Sequence, residues 1–463
     1  MRLGTLLIHD VREILRDDPE QVRELLEEIH PEDLADLVAE LDADEAAQLL
    51  ERMPSREAAD IFERLDDDEQ GELAVLMPPA SVAQIASEMA ADERADFFSV
   101  LPEALGDEVL EHLDEVDHEA AQEVRDIEKW PETSAAHLMT TEYVTVAVTA
   151  TVEDAIAAVR KEAMLESDAP VYNVYATSSD HRLLGIASLR QLISSEAHEK
   201  FADVMRTNII SVPPDMDQEE VARRMAKYDL NAMPVMDEQN VLLGIITIDD
   251  VIDVLAAEQT EDVQKIGGIA PLEVSYFKTS FVSLVQKRVV WLIVLFLGGF
   301  FTETALRHFD PVFQAVVGAS YYVPLLISAG GNSGSQSSTL VIRGLAIGEI
   351  QLGHWWRILV REAGMGLVLG LILGTIGFMK VMAFGTMSPA FAATVGLTLV
   401  GICMTGCTVG SMLPIGLKRI GLDPATSSTP FIASLVDVCG ILVFVHVAKI
   451  ILRSVIAAHG AGH

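Results

Sequence analysis

Five long apolar stretches fill the last part of the chain, near residues 289–309, 312–336, 363–384, 391–416 and 430–452. A hydrocarbon layer ~30 Å thick is crossed by about 20 residues of helix, so each stretch is long enough to span it. Backbone groups in that layer find no water, so such segments must satisfy their own hydrogen bonds as helices. The sequence therefore predicts an α-helical membrane domain of five helices over 289–463. Lys and Arg placement orients it. Lys278, Lys287 and Arg288 precede the first stretch, Arg343, Arg357 and Arg361 lie between the second and third, and Lys418 and Arg419 lie between the fourth and fifth. All fall on the side of residues 1–288, which places the N-terminus in the cytoplasm and the C-terminus outside, in a multi-pass protein of the cell (inner) membrane. The opening MRLGTLLIHDVREIL has no apolar core of signal-peptide length.

The remaining residues are strongly acidic. Of the 70 acidic and 32 basic residues, 64 and 23 lie in 1–288, a net charge of −41 against −38 for the whole chain. Such a region repels phosphate backbones, which excludes nucleic acid as a partner. It concentrates cations, although a merely solvated domain accounts for the same charge. The three cysteines all fall between 403 and 439 in apolar sequence, where they read as packing residues.

Residues 1–130 repeat. Leu41, Met53, Leu65, Met77, Met89, Leu101 and Leu113 recur every twelve residues. Pro54, Pro78 and Pro102 follow every second one; Asp42, Asp66 and Asp114 occupy the alternate junctions, with Ala90 in the remaining slot. The unit is a pair of short helices, each too short to stand alone, so the pairs are expected to stack into an all-α superhelix. Asp60, Asp92 and Asp96 lie near helix starts and read by themselves as dipole-facing or solvated acids.

Two segments in 131–264 rhyme: HLMTTEYVTV to LLGIASLRQLI, and DVMRTNIISV to LLGIITIDDVI. Each has a β-rich run, a helix, a strand (APVYNVYA or AMPVMD), and a closing strand that leads into a helix. This order resembles a tandem pair of CBS domains, α/β modules that are regulatory, usually dimerise and in many cases bind adenine nucleotides. The resemblance implies that Thr247 and Asp250 contact a nucleotide such as ATP; the first module has Ser188 but Gln191 in the acid's place. A plain helix cap explains Thr247 equally well. Asp250, Asp253, Glu258, Glu261 and Asp262 follow at helical spacings that set like charges side by side, an arrangement that divalent cations would relieve. A connecting amphipathic helix is expected over 265–288, ending in Lys287 and Arg288.

Two polar features interrupt the membrane domain. Asp437 lies deep in PFIASLVDVCGILVFV, where a carboxylate costs at least about 2.5 kcal/mol against lipid, so a functional role is expected. Gly440, one turn later, permits close helix approach. The second is GGNSGSQSS, residues 330–338, read as a break at the cytosolic end of the second span whose backbone and amide oxygens, around Gly331 and Asn332, suit hydrated cations.

The succession of acidic helical repeat, CBS pair, connecting (plug) helix and five spans resembles the MgtE family of magnesium channels. EEIHPEDLADL, YDLNAMPVMDE, IDDVIDVLAAEQTEDVQKIGG, GGNSGSQSSTLVIR and the Asp437 helix carry that likeness. It implies a homodimer in membrane lipid that carries Mg²⁺ along the twofold axis, with Asp437 as the pore acid. It also implies cytosolic Mg²⁺ sites at Asp60, Asp92, Asp96, Glu219, Asp229, Asp250, Asp253, Glu258, Glu261, Asp262 and Asp423. Asp60 stands where a longer Glu can occur, and Thr429 where relatives carry an amide at the pore mouth. Exchange of Mg²⁺ or Co²⁺ against Na⁺ or H⁺ is the alternative within transport. An intramembrane enzyme is disfavoured, since His446 has no HExxH or GxSxG pattern beside it.

Overall fold

The computed structural model describes residues 29–162, 171–272, 276–277, 279–316, 318–384, 388–426, 429–454 and 456. The opening fifteen residues, Lys278 and parts of EEIHPEDLADL, TVEDAIAAVRKEA and APVYNVYA lie outside them. The chain divides into two compact units, Met1–Ala257 and Glu258–His463.

The first unit opens, among the described residues, with α1 Pro31–Ala39, α2 Ala43–Arg52, α3 Ser55–Phe62, α4 Asp67–Leu76, α5 Pro79–Ala86, α6 Ala91–Val100, α7 Glu103–Val116 and α8 His118–Ile127. From α1 to α7, helices pack mainly odd on odd and even on even, giving the two layers of a superhelix, and α8 packs on both α6 and α7. The twelve-residue positions explain the stacking: Leu41, Leu65, Met77, Met89, Leu101 and Leu113 are buried in one continuous core. Pro54, Pro78 and Pro102 stand at the N-caps of α3, α5 and α7, where a fixed φ and a missing N–H cost little. The last junction differs from the expected one. α7 runs through Asp114 to Val116 because Val109 and Leu113 are both fully buried on its inner face. Asp117 caps α8 instead, accepting from the Glu119 and Ala120 N–H groups at 2.9 and 3.1 Å. Asp114 pairs with His118 and Arg125.

The rest of this unit holds β1 Val144–Ala147, α9 Val152–Glu162, β2 Asn173–Thr177, β3 Leu183–Ser188, α10 Leu189–Ser194, α11 Phe201–Val204, α12 Gln218–Tyr228, β4 Ala232–Met236, β5 Leu242–Thr247 and α13 Ile248–Ile266, whose last turns belong to the second unit. β2 pairs in parallel with β1 and antiparallel with β3; β4 and β5 form an antiparallel pair. IISV forms no strand: Val212 makes only an isolated parallel bridge to Val235. The two rhyming segments also exchange their leading residues. Thr140 bridges to Ile245 and Arg206 to Ile186. Met139 covers Gly244 and Met205 covers Gly185, where an added Cβ would lie 2.9 and 2.2 Å from the methionine sulfur. Each LxGI glycine thus lies against the methionine of the other segment, and at Gly244 the Thr140 carbonyl oxygen, 2.8 Å from an added Cβ, closes the remaining space.

In the second unit, α14 Phe281–His308, α15 Asp310–Ala315, α16 Val323–Ala346, α17 Trp355–Phe384, α18 Pro389–Arg419 and α19 Thr429–Ile451 are the α-helices that follow α13. Among the described residues four helices, α14, α17, α18 and α19, are long and apolar enough to cross a membrane. α16 has 24 residues, about 36 Å at 1.5 Å per residue, but carries the polar stretch. The expected boundaries shift here. The short α15 and a turn at Gly318 (φ +84°) precede α16, and residues 330–338 lie inside α16 rather than in a break. Ser333 Oγ donates locally, to the Ala329 carbonyl at 2.9 Å, whereas Ser335 and Ser337 bond neighbouring helices and Ser338 Oγ is buried without a hydrogen-bond partner. Arg343, Arg357 and Arg361 sit in the end turns of α16 and α17 rather than in a loop. Nor is there a separate connecting helix over 265–288 among the described residues: 265–266 end α13, and 281–288 begin α14.

Glycines bring α16 onto α18. A Cβ at Gly406 would lie 2.5 Å from the Gly330 carbonyl oxygen, and one at Gly410 2.1 Å from that of Gly334. Backbone cannot rotate aside as a side chain can. Gly410→Val is therefore expected to cost about 3 kcal/mol or more, read as a lower melting temperature in detergent. Gly416→Ala, where nothing lies within 4 Å of an added Cβ, should leave it unchanged or slightly higher.

Candidate cation sites

The first unit contains an acidic cavity of about 560 Å³. α6 brings Asp92 and Glu93 to it in its first turn, where the helix dipole favours negative charge. α3 and the turn after it bring Asp60 and Glu63, and the β5–α13 junction brings Thr247, Asp249 and Asp250; Glu142 also lines the wall. Thus three predicted acids, Asp60, Asp92 and Asp250, do converge. Glu63, Glu93, Glu142 and Asp249 join them without having been expected. The repeat held one clue to this place: Ala90 occupies the slot where other junctions carry Asp, and its N–H donates to Glu63 Oε1 at 3.0 Å.

The carboxylates crowd one another in a poorly solvated space. Burial, then the charge of Asp250, pushes Asp92 up to about 8. Burial, then Asp92, Glu63, Asp96 and Asp250, pushes Glu93 up to about 9. Burial also raises Glu63 and Asp250, the latter partly offset by the Thr247 bond. Asp92 Oδ1 is buried without a hydrogen-bond partner. The deeply buried Arg94 is itself part of the wall: it donates to the Ala86 and Met89 carbonyls at 2.7 and 2.6 Å and pairs with Glu123, another lining residue, at 2.8 Å. Carboxylates outnumber the two arginines, Arg56 and Arg94, along the cavity wall, and the orphaned carboxylate oxygen fits a bound cation. Among the described residues no three carboxylate, imidazole or thiol groups already form a close ligand cluster.

A pH effect follows. These carboxyls are harder to ionise in the folded protein than in the unfolded chain. The folded form therefore loses no stability to them near pH 4, and loses progressively more as pH rises toward 8–9. Without divalent ions, the melting temperature of the ion-free protein should be lower at pH 9 than at pH 6. Asp92→Asn should flatten that dependence.

The other predicted acids of this unit lie apart from the cavity wall. Asp96 approaches buried His137, with Oδ1 3.7 Å from Nδ1. Glu219 pairs with Arg223 on α12. Asp229 is the left-handed C-cap of α12, at φ +52°. Asp253 is exposed on α13. Thr247 Oγ1 donates to Asp250 Oδ2 at 2.6 Å, and the Thr247 N–H approaches the same oxygen at 3.4 Å, so this pair serves as a helix cap. Ser188 and Gln191 do the same at the equivalent place in the first segment.

In the second unit, Glu261 and Asp262 of α13 come near Asp423 of the loop before α19. Lys265, absent from the expected set, joins them: Nζ lies 2.7 Å from Asp423 Oδ2 and also pairs with Glu261. Burial and then the Asp423 charge raise Asp262, with Glu258 and Glu261 adding to the effect and Lys265 opposing it.

Asp437 is half-buried on α19, and a Cβ at Gly331 would lie 4.0 Å from its Oδ1. Gly440 packs against Ile402 and Ile327 rather than lining open space. Gly331 is buried, but Asn332 is exposed together with Ser328, Gln336, Thr339 and Arg343, a polar stripe at helical spacing. Ser335 Oγ donates to the Thr429 carbonyl at 3.3 Å, linking this helix to the start of α19.

An acidic unit joined to a unit with four helices long and apolar enough to cross a membrane, among the described residues, is the layout of a multi-pass membrane protein with a large polar domain. The chain matches the family models for the MgtE intracellular N domain over 29–133, the CBS domain over 135–198 and 201–257, and a divalent cation transporter over 323–447. It is 41% identical over 343 residues to the magnesium transporter MgtE of Thermus thermophilus, covering 74% of this chain and 75% of that one. Over 328 residues it is 32% identical to the magnesium transporter MgtE of Bacillus subtilis, covering 70% and 71%. The chain belongs to the MgtE family of magnesium transporters. Among solved structures it is similar to the cytosolic domain of the Mg²⁺ channel MgtE in complex with ATP, at 35% identity and a TM-score of 0.50, over 54% of this chain and 100% of that one. It is also similar to the soluble part of a magnesium transporter, at 29% identity and a TM-score of 0.51, over 55% and 99%.

Proposed function

We propose that the protein conducts Mg²⁺ passively into the cell and is closed by Mg²⁺ accumulating inside. The observation that carries the path is the half-buried Asp437 against Gly331, beside the exposed stripe of Ser328, Asn332, Gln336 and Thr339 on a helix of the membrane unit. A polar stripe of this kind is stable only against water or another polar surface. A second copy related by a twofold axis would supply one, with two Asp437 carboxylates facing a hydrated ion. Mg²⁺ dehydrates reluctantly, so selection would act on the size and charge of the hydrated ion, unlike a dehydrating carbonyl filter.

Closure is assigned to the acids of residues 1–288 and to Glu258, Glu261, Asp262 and Asp423. Mg²⁺ held by Asp60, Asp92 and Asp250 would neutralise the cavity and favour its compact form. Asp96, Glu219, Asp229 and Asp253 extend the acidic surface. The ions shift the equilibrium only through tighter binding to the closed form, and several together make the response steep. α13, continuous from the cavity to Lys265, is the covalent route to the membrane unit. ATP is the ligand of one similar domain and is assigned to the Thr247–Asp250 corner. The acids around Asp250 disfavour a bare polyphosphate there, so the nucleotide would bind with its charge compensated.

Passive conduction and exchange are separated by Mg²⁺ uptake into proteoliposomes with and without an opposing Na⁺ or H⁺ gradient. The proposal expects equal initial rates. A rate that follows the opposing gradient would establish the exchanger.

A further inference from the structure

α17 buries one narrow stripe: Gly366, Gly370, Gly374, Gly377 and Val381. A Cβ at Gly366, Gly370 or Gly374 would meet backbone of α18 at 2.6–2.7 Å, so this stripe is the helix's fixed face. One turn before Gly366 on the same stripe stands Glu362, the one acidic residue in the α17 sequence. It lies six residues, about 9 Å of helix, inside the exposed Trp356. Its Oε2 accepts a hydrogen bond at 2.6 Å from Ser337 Oγ of α16, a residue only 4% exposed.

α16 and α17 are held apart by α18, which packs closely on both, and no other side-chain hydrogen bond joins α16 to α17 among the described residues. Ser337 continues the face of Gly330 and Gly334 that sits on α18. Cys407 of α18 places its thiol 3.9 Å from the Ser333 carbonyl oxygen between them. A carboxylate is a costly residue to put into such an interface when a neutral side chain would pack there. It bonds the very helix that carries the polar stripe and Gly331.

We propose that Glu362 is a positioning residue for ion passage. Through Ser337 it fixes the rotation and depth of α16, and with them the line of Ser328, Asn332, Gln336 and Thr339 and the contact of Gly331 with Asp437. This rests on the reading of Asp437 and α16 as the ion path.

The test is Mg²⁺ uptake by the full-length protein in proteoliposomes, measured against Mg²⁺ concentration, for Glu362→Leu, Glu362→Gln, Ser337→Ala and the Leu/Ala double variant. Glu362→Leu and Ser337→Ala should each raise the half-saturating Mg²⁺ concentration about tenfold. The double variant should be no worse than the more impaired single one, as expected of residues acting through one bond. Glu362→Gln, whose amide oxygen still accepts from Ser337, should stay within about twofold of the parent. Ser337→Ala removes only a hydroxyl and keeps the test open if the Leu variant does not fold. An unchanged half-saturation in Ser337→Ala, or a Gln variant as impaired as the Leu variant, overturns the proposal. An Asp437→Asn control in the same vesicles reports separately on the path: full uptake there would refute the path itself, whatever Glu362 does.

Discussion

Asp437→Ala abolishes Mg²⁺ uptake into proteoliposomes, with a fall of at least about a hundredfold, while the protein still elutes as a folded species. The size follows from charge. A divalent ion about 5 Å from a carboxylate gains roughly 7 kcal/mol of gross attraction at an effective dielectric constant of ~20. Retaining even a third of that after solvation changes occupancy by more than tenfold per carboxylate. Asp437 is the one acid on α19, and α16 and α18 carry none, so no neighbour on those helices replaces it. Asp437→Asn keeps the volume and the contact with Gly331, and should lose nearly as much uptake, because charge is what the site supplies. Uptake at the parental rate in either variant would remove Asp437 from the path.

Neutralising Asp250, Asp253 and Glu258 together, as Asn, Asn and Gln, leaves the protein conducting at internal Mg²⁺ concentrations that close the parent. These residues lie on α13, and Asp250 also faces the acidic cavity. Under the proposed gating, their removal would take away both the repulsion that opposes closure and the ligands that reward it. The second effect dominates the response to Mg²⁺, since a ligand shifts an equilibrium only by its differential affinity. The concentration for half closure should rise by on the order of tenfold or more, with a shallower dependence. Closure at the parental concentration would separate α13 from the switch.

The outline was legible in the sequence because each part has its own periodicity. Twelve-residue Met/Leu junctions, alternating CBS strands and long apolar runs each answer to one physical constraint, and most of those elements form, although the last junction moves to Asp117, IISV pairs only through Val212, and four helices rather than five are long and apolar enough to span among the described residues. What stayed hidden depends on contacts between distant residues. Nothing local says that Met139 covers Gly244 while Met205 covers Gly185, so the exchange of leading residues could not be seen. Residues 330–338 read as a break because Gly, Ser and Asn are poor helix formers. Tertiary packing of Gly330 and Gly334 on Gly406 and Gly410 overrides that weak preference. The cavity was half legible: Asp60, Asp92 and Asp250 were singled out through family resemblance. Glu63, Glu93 and Glu142 become neighbours only once α3, α6 and the chain before β1 are brought together. Lys265 and Glu362 escaped for a related reason. One looked like an ordinary basic residue at a helix end and the other like an acid near a membrane boundary, and only their partners, Asp423 and Ser337, give them meaning.

The account holds that one cation species occupies both the path and the acidic cavity. Anomalous scattering from crystals of the full-length protein soaked in Mn²⁺, a divalent ion of similar oxygen-ligand preference, tests this directly. The account predicts peaks beside Asp437 and between Asp92 and Asp250. Occupied cytosolic sites with no density beside Asp437, or ions at Asp437 with an empty Asp92–Asp250 cavity, would contradict it.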